Sequence, residues 1–498
     1  RLWPNDTLPA ARTAYRFEMT RYNVVVIGAG TAGLVTAAGT AGLGGRVALI
    51  ERNKMGGDCL NFGCVPSKAL ISSARLAYDI AHAENWGLEK QSPQFTLDRI
   101  FERMRARRAR IAPNDSQERF ESLGVDVFRG EASFLSPNEL IVGETKLRAK
   151  NFVIATGTRA TLPAIDGLER VPFFTNENIF DELNAAPESM LVIGGGPIGC
   201  ELSQAFSRLG VKVTLLNRGS HLLSKEDPEI SHLLEKQFEA EGIRTVNQAE
   251  PISCIRESGG ISLTYREKHT GKQEAIITET LLLAAGRTPN IEQLNLRNAG
   301  VDYSEHGVET NAYLQTSQPH IYAVGDVVGP YQFTHMADYQ ARIVVRNILM
   351  PFGFVRQKLD YSVVPWCTFV HPEVARVGLN ETEAKEKGIA CNVIRQDFAQ
   401  VDRAVVEDEE AGFAKVLVQR GTDKILGVTI VAEHAGELIH EFVLAMKHGI
   451  GLGKIAATIH VYPTFSEVAR KAGDQYNKTR LTPFARKLFA WLYRRARS

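Results

Sequence analysis

Cys59 and Cys64, in the run Gly57-Asp58-Cys59-Leu60-Asn61-Phe62-Gly63-Cys64-Val65-Pro66-Ser67-Lys68, are the residues best suited to redox chemistry in this chain. With four residues between them, two thiols can close a small disulfide ring or open to a dithiol. That requires the backbone to bring their Cα atoms within about 4–7 Å. Such a pair is a two-electron redox element. The spacing alone fits half a zinc site equally well, but no second close pair exists. Cys200, Cys254, Cys367 and Cys391 are scattered and read as small buried residues. Pro66 suits the first turn of a helix through Ser67, Lys68, Ala69 and Leu70, which places the thiols near a helix N-terminus that favours thiolate.

The elements before the pair explain how it is placed. Val24-Val25-Val26-Ile27 reads as a buried strand, and the turn Gly28-Ala29-Gly30-Thr31-Ala32-Gly33 follows at once. A helical run leads to a second strand, Val47 to Ile50, which ends at Glu51. Strand, glycine turn, helix, strand and acid are the setting in which a dinucleotide is held, with the acid on the ribose hydroxyls. The pattern recurs. Met190 to Ile193 is a strand, Gly194-Gly195-Gly196-Pro197-Ile198-Gly199 is the turn, Glu201 to Phe206 opens a helix, and Val211 to Leu216 is the next strand. One glycine turn is weak evidence; two in this context imply two dinucleotides. In the second fold Asn217-Arg218 stands where the acid would be. Arg218, with Lys225 downstream, suits a 2′-phosphate, so NADPH is expected rather than NADH, with NAD left open. The competing view of these two cations is solvated surface charge.

At 498 residues the chain is too long for one core. Its 44% hydrophobic and 23% charged content are ordinary for a globular protein, and the net charge of +1 gives no field for nucleic acid. Six cysteines are too few for a secreted disulfide scaffold and favour a reducing compartment. A cytoplasmic location is expected, and no apolar run reaches the ~20 residues a spanning helix needs. Residues 1–18 lack the apolar core of a secretory signal, and Met19 would make a natural start. Past residue 360 the pattern becomes α+β, with strands over Val363–Val370 and Ala414–Val418 and a helix over Gly436–His448.

Together these residues resemble the class I pyridine nucleotide–disulfide oxidoreductases, which include glutathione reductase, dihydrolipoamide dehydrogenase and mercuric reductase. The landmarks come in the family's order from about Tyr22 to Arg480. They are the first glycine turn and Glu51, the cysteine motif, Ala155-Thr156-Gly157, Gly286-Arg287-Thr288-Pro289-Asn290, and Ile321-Tyr322-Ala323-Val324-Gly325-Asp326. The resemblance implies an α/β fold of two Rossmann-like domains, for FAD and NAD(P), plus a C-terminal α+β dimerisation domain. The boundaries read as 1–21 extension, 22–160 and 286–360 FAD domain, 161–285 NAD(P) domain, 361–480 dimerisation domain and 481–498 tail. It implies FAD held at Gly28, Gly30, Gly33, Glu51, Gly57, Lys68, Ala155, Thr156, Gly157, Gly325 and Asp326, with Asp326 on the ribityl chain. The nicotinamide nucleotide falls to Gly194, Gly196, Gly199, Arg218, Lys225 and Gly286. Lys68 and Glu201 match an ion pair beside the flavin ring. Cys64 is implied as the flavin-facing sulfur and Cys59 as the thiol that exchanges with substrate. His335 and Arg342 fall on a helix under the flavin with a structural role. No metal site is implied. The partner is expected to be a second copy of the chain, with the active site shared across the homodimer.

The departure from the family is at His460-Val461-Tyr462-Pro463-Thr464-Phe465-Ser466-Glu467. The family's base His is replaced by Tyr462; Glu467 holds the orienting position and His460 matches a family His two residues earlier. A phenol titrates near 10 and is a poor proton acceptor at neutral pH. An acceptor that needs no thiol protonation, such as a soft metal ion, tolerates this change. A mercuric-reductase-like oxidoreductase acting on a small disulfide, a dithiol or a soft metal is therefore expected. The extra C-terminal cysteine pair of mercuric reductases is missing, since the last cysteine is Cys391. The alternatives are an NAD-dependent dihydrolipoamide dehydrogenase and a redox-sensing flavoprotein. The tail from Phe484 to Arg495 is basic and aromatic, with Phe484, Leu488, Trp491 and Leu492 on one helix face. It suits either an anionic membrane surface or docking on the chain's own dimer domain.

Overall fold

The computed structural model describes residues 21–350 and 355–497. The extension expected over 1–21 lies outside the described residues except for Arg21, which begins the first strand.

Val24–Ile27 and Val47–Ile50 are buried throughout, as strands in a sheet covered on both faces must be. Strand Arg21–Ile27 pairs in parallel with Val47–Glu51 on one side and Thr145–Ile154 on the other, and Val125–Arg129 extends the sheet. The long strand Thr145–Ile154 has two partners on its other flank. Its first half pairs with Glu139–Val142, which in turn pairs with Ala132–Ser136, in an antiparallel meander. Its second half pairs in parallel with Ile321–Ala323. That late strand thereby delivers Asp326 to the same sheet edge as the first glycine turn. Helix Thr31–Gly42 rises from the turn and packs on helix Thr334–Leu349.

The turn tolerates no side chain at two points. Gly28 has φ +105°, and a Cβ there would lie 2.4 Å from the Ala155 carbonyl oxygen. A Cβ on Gly33 would lie 1.8 Å from the Gly28 carbonyl oxygen, so helix and strand meet through bare backbone. Gly33→Ala is therefore expected to destabilise the protein by about 3 kcal/mol. The denaturant midpoint checks this, and an unchanged midpoint would show that the turn can relax.

The second fold repeats the plan. Its parallel sheet runs Arg244–Val246, Lys212–Leu216, Ser189–Ile193 and Thr280–Leu283, and helix Pro197–Arg208 rises from the turn. Beyond residue 360, strands Pro365–Thr368, Glu373–Gly378, Ile425–Ala432, Phe413–Gln419 and Cys391–Asp397 form one antiparallel sheet. Helices Ala435–Lys447 and Glu467–Thr479 pack on it around Val416, Val428, Ile430, Phe442 and Phe465. The strand expected over Val363–Val370 is only Pro365–Thr368. Its continuation is diverted: the Phe369 N–H donates to Glu201 and the His371 N–H to Gln204, so the backbone leaves the ladder to dock on helix Pro197–Arg208.

A buried ion network joins this sheet to the second nucleotide fold. The Lys415 ammonium, 3% exposed, contacts Asp227 at 2.6 Å and Glu381 at 2.9 Å, and also pairs with Glu229. Arg376 stacks 4.3 Å over the Trp366 ring, pairs with Glu383 at 2.8 Å and donates to the Lys225 carbonyl at 3.0 Å. The backbone that carries Lys225 is thus fixed by the C-terminal sheet.

Candidate active site

Both glycine turns and the cysteine pair open onto one continuous cleft of about 2500 Å³. That exceeds an ordinary small-ligand pocket of ~300–1,000 Å³ and leaves room for two nucleotides. Cys59 lies on the short helix Gly57–Asn61, and Cys64 is the first residue of helix Cys64–Ala81. Pro66 thus stands in the first turn of this helix, as its type indicates. Pro66 is accommodated because the first N–H groups of a helix have no intrahelical partner.

The six cysteines are free thiols in this structure. The Cys64 thiol is held below its ordinary pKa by a hydrogen bond from Cys59, opposed by burial and helped by Thr334 and the charge of Lys68. Thr334 Oγ1 lies 3.5 Å from Cys64 Sγ. Cys59 is pushed up, first by its hydrogen bond to Cys64 and then by burial. The pair thus holds one proton, on Cys59, with the thiolate on Cys64 at a helix N-terminus.

Lys68 follows one helical turn after Cys64, and its Nζ lies 2.6 Å from Glu201 Oε2. The other Glu201 oxygen accepts the Phe369 N–H at 2.9 Å, and the ammonium sits 4.6 Å from the Phe369 ring centroid. Side chains from three segments far apart in the chain converge here. Arg287, to which the sequence assigned no role, is a second such junction. Its Nη2 lies 3.1 Å from Asp58 Oδ2, its Nε donates to Thr158 Oγ1 at 2.7 Å, and Asp326 is 4.0 Å away. Thr158 in turn donates to Asp326 at 3.3 Å. Burial raises the Asp326 pKa while the Arg287 charge lowers it. The signal in the sequence was a cation following Gly286 with acids in two other motifs, but nothing in spacing could pair them.

Glu51 is buried, and its two oxygens accept the Ala29 and Asn53 N–H groups, each at 2.7 Å. Each oxygen keeps a lone pair for a ribose hydroxyl. Thr156 and Asn290 exchange two hydrogen bonds, which ties Ala155-Thr156-Gly157 to the segment after Gly286. In the second fold Asn217 takes the acid's place and donates to Gly219, His221 and Asn247, holding the loop instead of a ligand. Arg218 and Lys225 line the cleft together with Lys268, whose Nζ donates to the Arg218 carbonyl at 2.9 Å. Beside Thr334 the cleft wall is aromatic: the rings of Phe333 and Trp366 stack at 6.2 Å, with Tyr331 against Trp366. His335 donates its Nε2–H to the Pro365 carbonyl at 2.8 Å, while exposed Arg342 pairs with Asp338 on its own helix.

His460, Tyr462 and Glu467 do not line this cleft within one chain. His460 is held by Glu441, 3.1 Å from Nε2, and by the Thr458 carbonyl. Tyr462 is 66% exposed, and its hydroxyl donates to Asp402 Oδ2 at 3.0 Å. Glu467, expected to orient position 462, instead pairs with Arg470 at 2.8 Å and is buried. The reason is local: Glu467 begins helix Glu467–Thr479, so Arg470 stands one turn along on the same face. Asp402 orients Tyr462 in its place. Two acidic clusters outside the cleft already enclose a cation. Arg75 pairs with Glu433 beside His371 and Glu409, and Lys415 fills the Asp227, Glu229 and Glu381 cluster.

Two dinucleotide folds that share a cleft with a thiol pair define a nucleotide-dependent thiol–disulfide oxidoreductase. The chain belongs to the pyridine nucleotide-disulphide oxidoreductase family, which it matches over residues 22–341, and it matches that family's dimerisation domain over residues 364–472. It is 36% identical to a mercuric reductase of Lysinibacillus sphaericus over 92% of this chain and 83% of that protein. It is 35% identical to a dihydrolipoyl dehydrogenase of Chlamydia muridarum over 90% of this chain and 95% of that protein. The HOCl-induced flavoprotein disulfide reductase RclA of Escherichia coli superposes with a TM-score of 0.81 at 28% identity, covering 91% of this chain and 99% of that one.

Members of this family are FAD-dependent oxidoreductases that use NAD(P)H. The residues fit both groups. A Cβ at Gly196 would meet no atom within 4 Å and would stand in the open cradle above the second turn. The first cradle is as bare, with Gly30 and Gly57 so close that a Cβ on Gly57 would lie 2.6 Å from the Gly30 Cα. Backbone N–H groups at both turns can then approach a pyrophosphate.

Proposed function

We propose that this chain carries electrons from NADPH, through FAD, to the Cys59–Cys64 pair and on to a small disulfide, a dithiol-linked acceptor or a soft metal ion, working as a homodimer. The observation that carries this is the Cys64 thiolate, held by Cys59, Thr334 and Lys68 in the cleft that takes both glycine turns. A flavin bound there supplies two-electron transfer between a nicotinamide and a disulfide. Glu51 would hold the ribose of FAD and Asp326 its ribityl chain. Lys68, neutralised by Glu201, would set a cation beside the ring, where it favours the reduced anionic form. Cys59 would be the thiol that meets the acceptor. Arg218, Lys225 and Lys268 would hold the 2′-phosphate of NADPH.

Support for a soft metal acceptor comes from the mercuric reductase relatives and from the Cu(II) complex of RclA. Support for a homodimer comes from the dimerisation domain and from the exposed strip Ile459, Val461 and Tyr462 within it. Six free thiols fit a reducing compartment such as the cytoplasm. Among the described residues no helix is long and apolar enough to cross a membrane.

The test is steady-state turnover of the FAD-loaded enzyme with each nicotinamide against lipoamide, glutathione disulfide, Hg²⁺, Cu²⁺ and quinones. NADPH is expected to be preferred, and Arg218→Ala with Lys225→Ala is expected to weaken NADPH use by roughly thirtyfold while sparing NADH. A strong NADH preference with lipoamide turnover would instead identify a dihydrolipoyl dehydrogenase. Absence of turnover with every acceptor would leave a redox sensor.

A further inference from the structure

We propose that helix Pro483–Arg495 is an interfacial anchor that lays the enzyme on an anionic phospholipid bilayer. The helix has a defined start, with Pro483 in its first turn and the Thr482 hydroxyl accepting the Ala485 N–H at 3.1 Å. It is a formed element, yet none of its residues is buried. Phe484 is 75% exposed and Trp491 52%, and Leu488, Phe489, Leu492 and Tyr493 are exposed as well.

At 3.6 residues per turn, Phe484, Leu488, Trp491 and Leu492 share one face, with Phe489 at its edge. Lys487 and Arg494 flank this face on one side, and Arg486 lies opposite it. Arg495 reaches over the Trp491 ring at 5.4 Å, the placement of a side chain that covers apolar surface while its charge stays outside. The chain contains no Asp or Glu after Asp474, but seven Lys and Arg, although its net charge is only +1.

Charge complementarity selects the occupant. A second copy of this helix would present the same cations beside the same apolar stripe and would be repelled. A negatively charged lipid surface answers both features at once: the acyl boundary takes Phe484, Leu488 and Leu492, the amphipathic ring of Trp491 reaches the headgroup zone, and lipid phosphates neutralise the flanking cations. No residue of the helix lines the nucleotide cleft, so a docked enzyme keeps its cleft open. The helix also lies beyond the matched dimerisation domain, which ends at residue 472.

The experiment uses the full-length FAD-loaded protein in flotation with phosphatidylcholine vesicles, with or without phosphatidylglycerol. Binding to the anionic vesicles is expected to be at least roughly tenfold tighter than to neutral ones and to weaken with salt. Arg486→Ala with Lys487→Ala is expected to weaken it roughly thirtyfold. Leu488→Glu with Trp491→Glu should abolish flotation while NADPH oxidation and native molecular mass stay unchanged. Failure to float with anionic vesicles would overturn the proposal, as would equal binding to neutral ones. A fall in native mass for the Leu488/Trp491 double variant would make the helix a subunit contact and overturn it equally. NADPH oxidation in the same samples reports the redox reading separately.

Discussion

Cys64→Ser is expected to lower NADPH-driven reduction of every acceptor by roughly a thousandfold or more while leaving FAD and nucleotide binding intact. Serine keeps the volume and the contact to Thr334 but cannot form the sulfur–sulfur bond or carry the negative charge at neutral pH. In the wild-type enzyme three neighbours act together on that charge: the Cys59 thiol, the Thr334 hydroxyl 3.5 Å away and the Lys68 ammonium. The long-wavelength thiolate–flavin absorbance of the two-electron-reduced enzyme is expected to vanish in Cys64→Ser, and its retention would refute the assignment of Cys64 as the flavin-facing sulfur.

The pH dependence has a definite sign. Because the Cys64 pKa lies below that of an ordinary thiol, the absorbance should persist as pH falls through the usual thiol range near 8.5 and fade only below the lowered value. Cys59→Ser removes the sulfur that donates the largest stabilising hydrogen bond. A serine hydroxyl can replace that donor in part, so the fading should move to higher pH without the absorbance being lost. Cys59→Ala should move it further.

The nucleotide folds were legible because they rest on local signals. Val24–Ile27 and Met190–Ile193 run straight into glycine turns, and sterics at Gly28, Gly33, Gly194 and Gly199 leave the backbone few alternatives. The proximity of Lys68 and Glu201 could be anticipated only through the family resemblance, since 133 positions separate them. Contacts without such a precedent were invisible. Arg287 between Asp58 and Asp326 joins three segments, and no periodicity relates them. The short strand Pro365–Thr368 was overestimated for a different reason. Apolar residues continue through Val370, but the Phe369 N–H is claimed by Glu201 and the following His371 N–H by Gln204, both on another domain.

Position 462 shows the same limit and yields the second large effect. Tyr462→His is expected to raise turnover with small disulfides roughly a hundredfold, provided the partner subunit's cleft is where this exposed side chain acts. In the present chain Asp402 receives the phenol hydrogen at 3.0 Å and raises the Tyr462 pKa, so the phenol stays protonated at neutral pH and can donate but not accept a proton. An imidazole at this position would meet a carboxylate already in place, itself contacted by Lys471 at 3.2 Å. Asp402 would then hold one ring nitrogen and leave the other free to exchange protons with a thiol near neutral pH. The gain should appear in kcat with disulfides and not with Hg²⁺, which needs no proton on sulfur. Adding Asp402→Asn to Tyr462→His should remove most of the gain and shift its pH profile downward, because the imidazolium loses its counter-charge. Adding Glu467→Gln should change that profile less, because one Glu467 oxygen already pairs with Arg470 while Asp402 is the carboxylate in contact with position 462. A profile that follows Glu467 and ignores Asp402 would mean that the orienting carboxylate is the one the family pattern names.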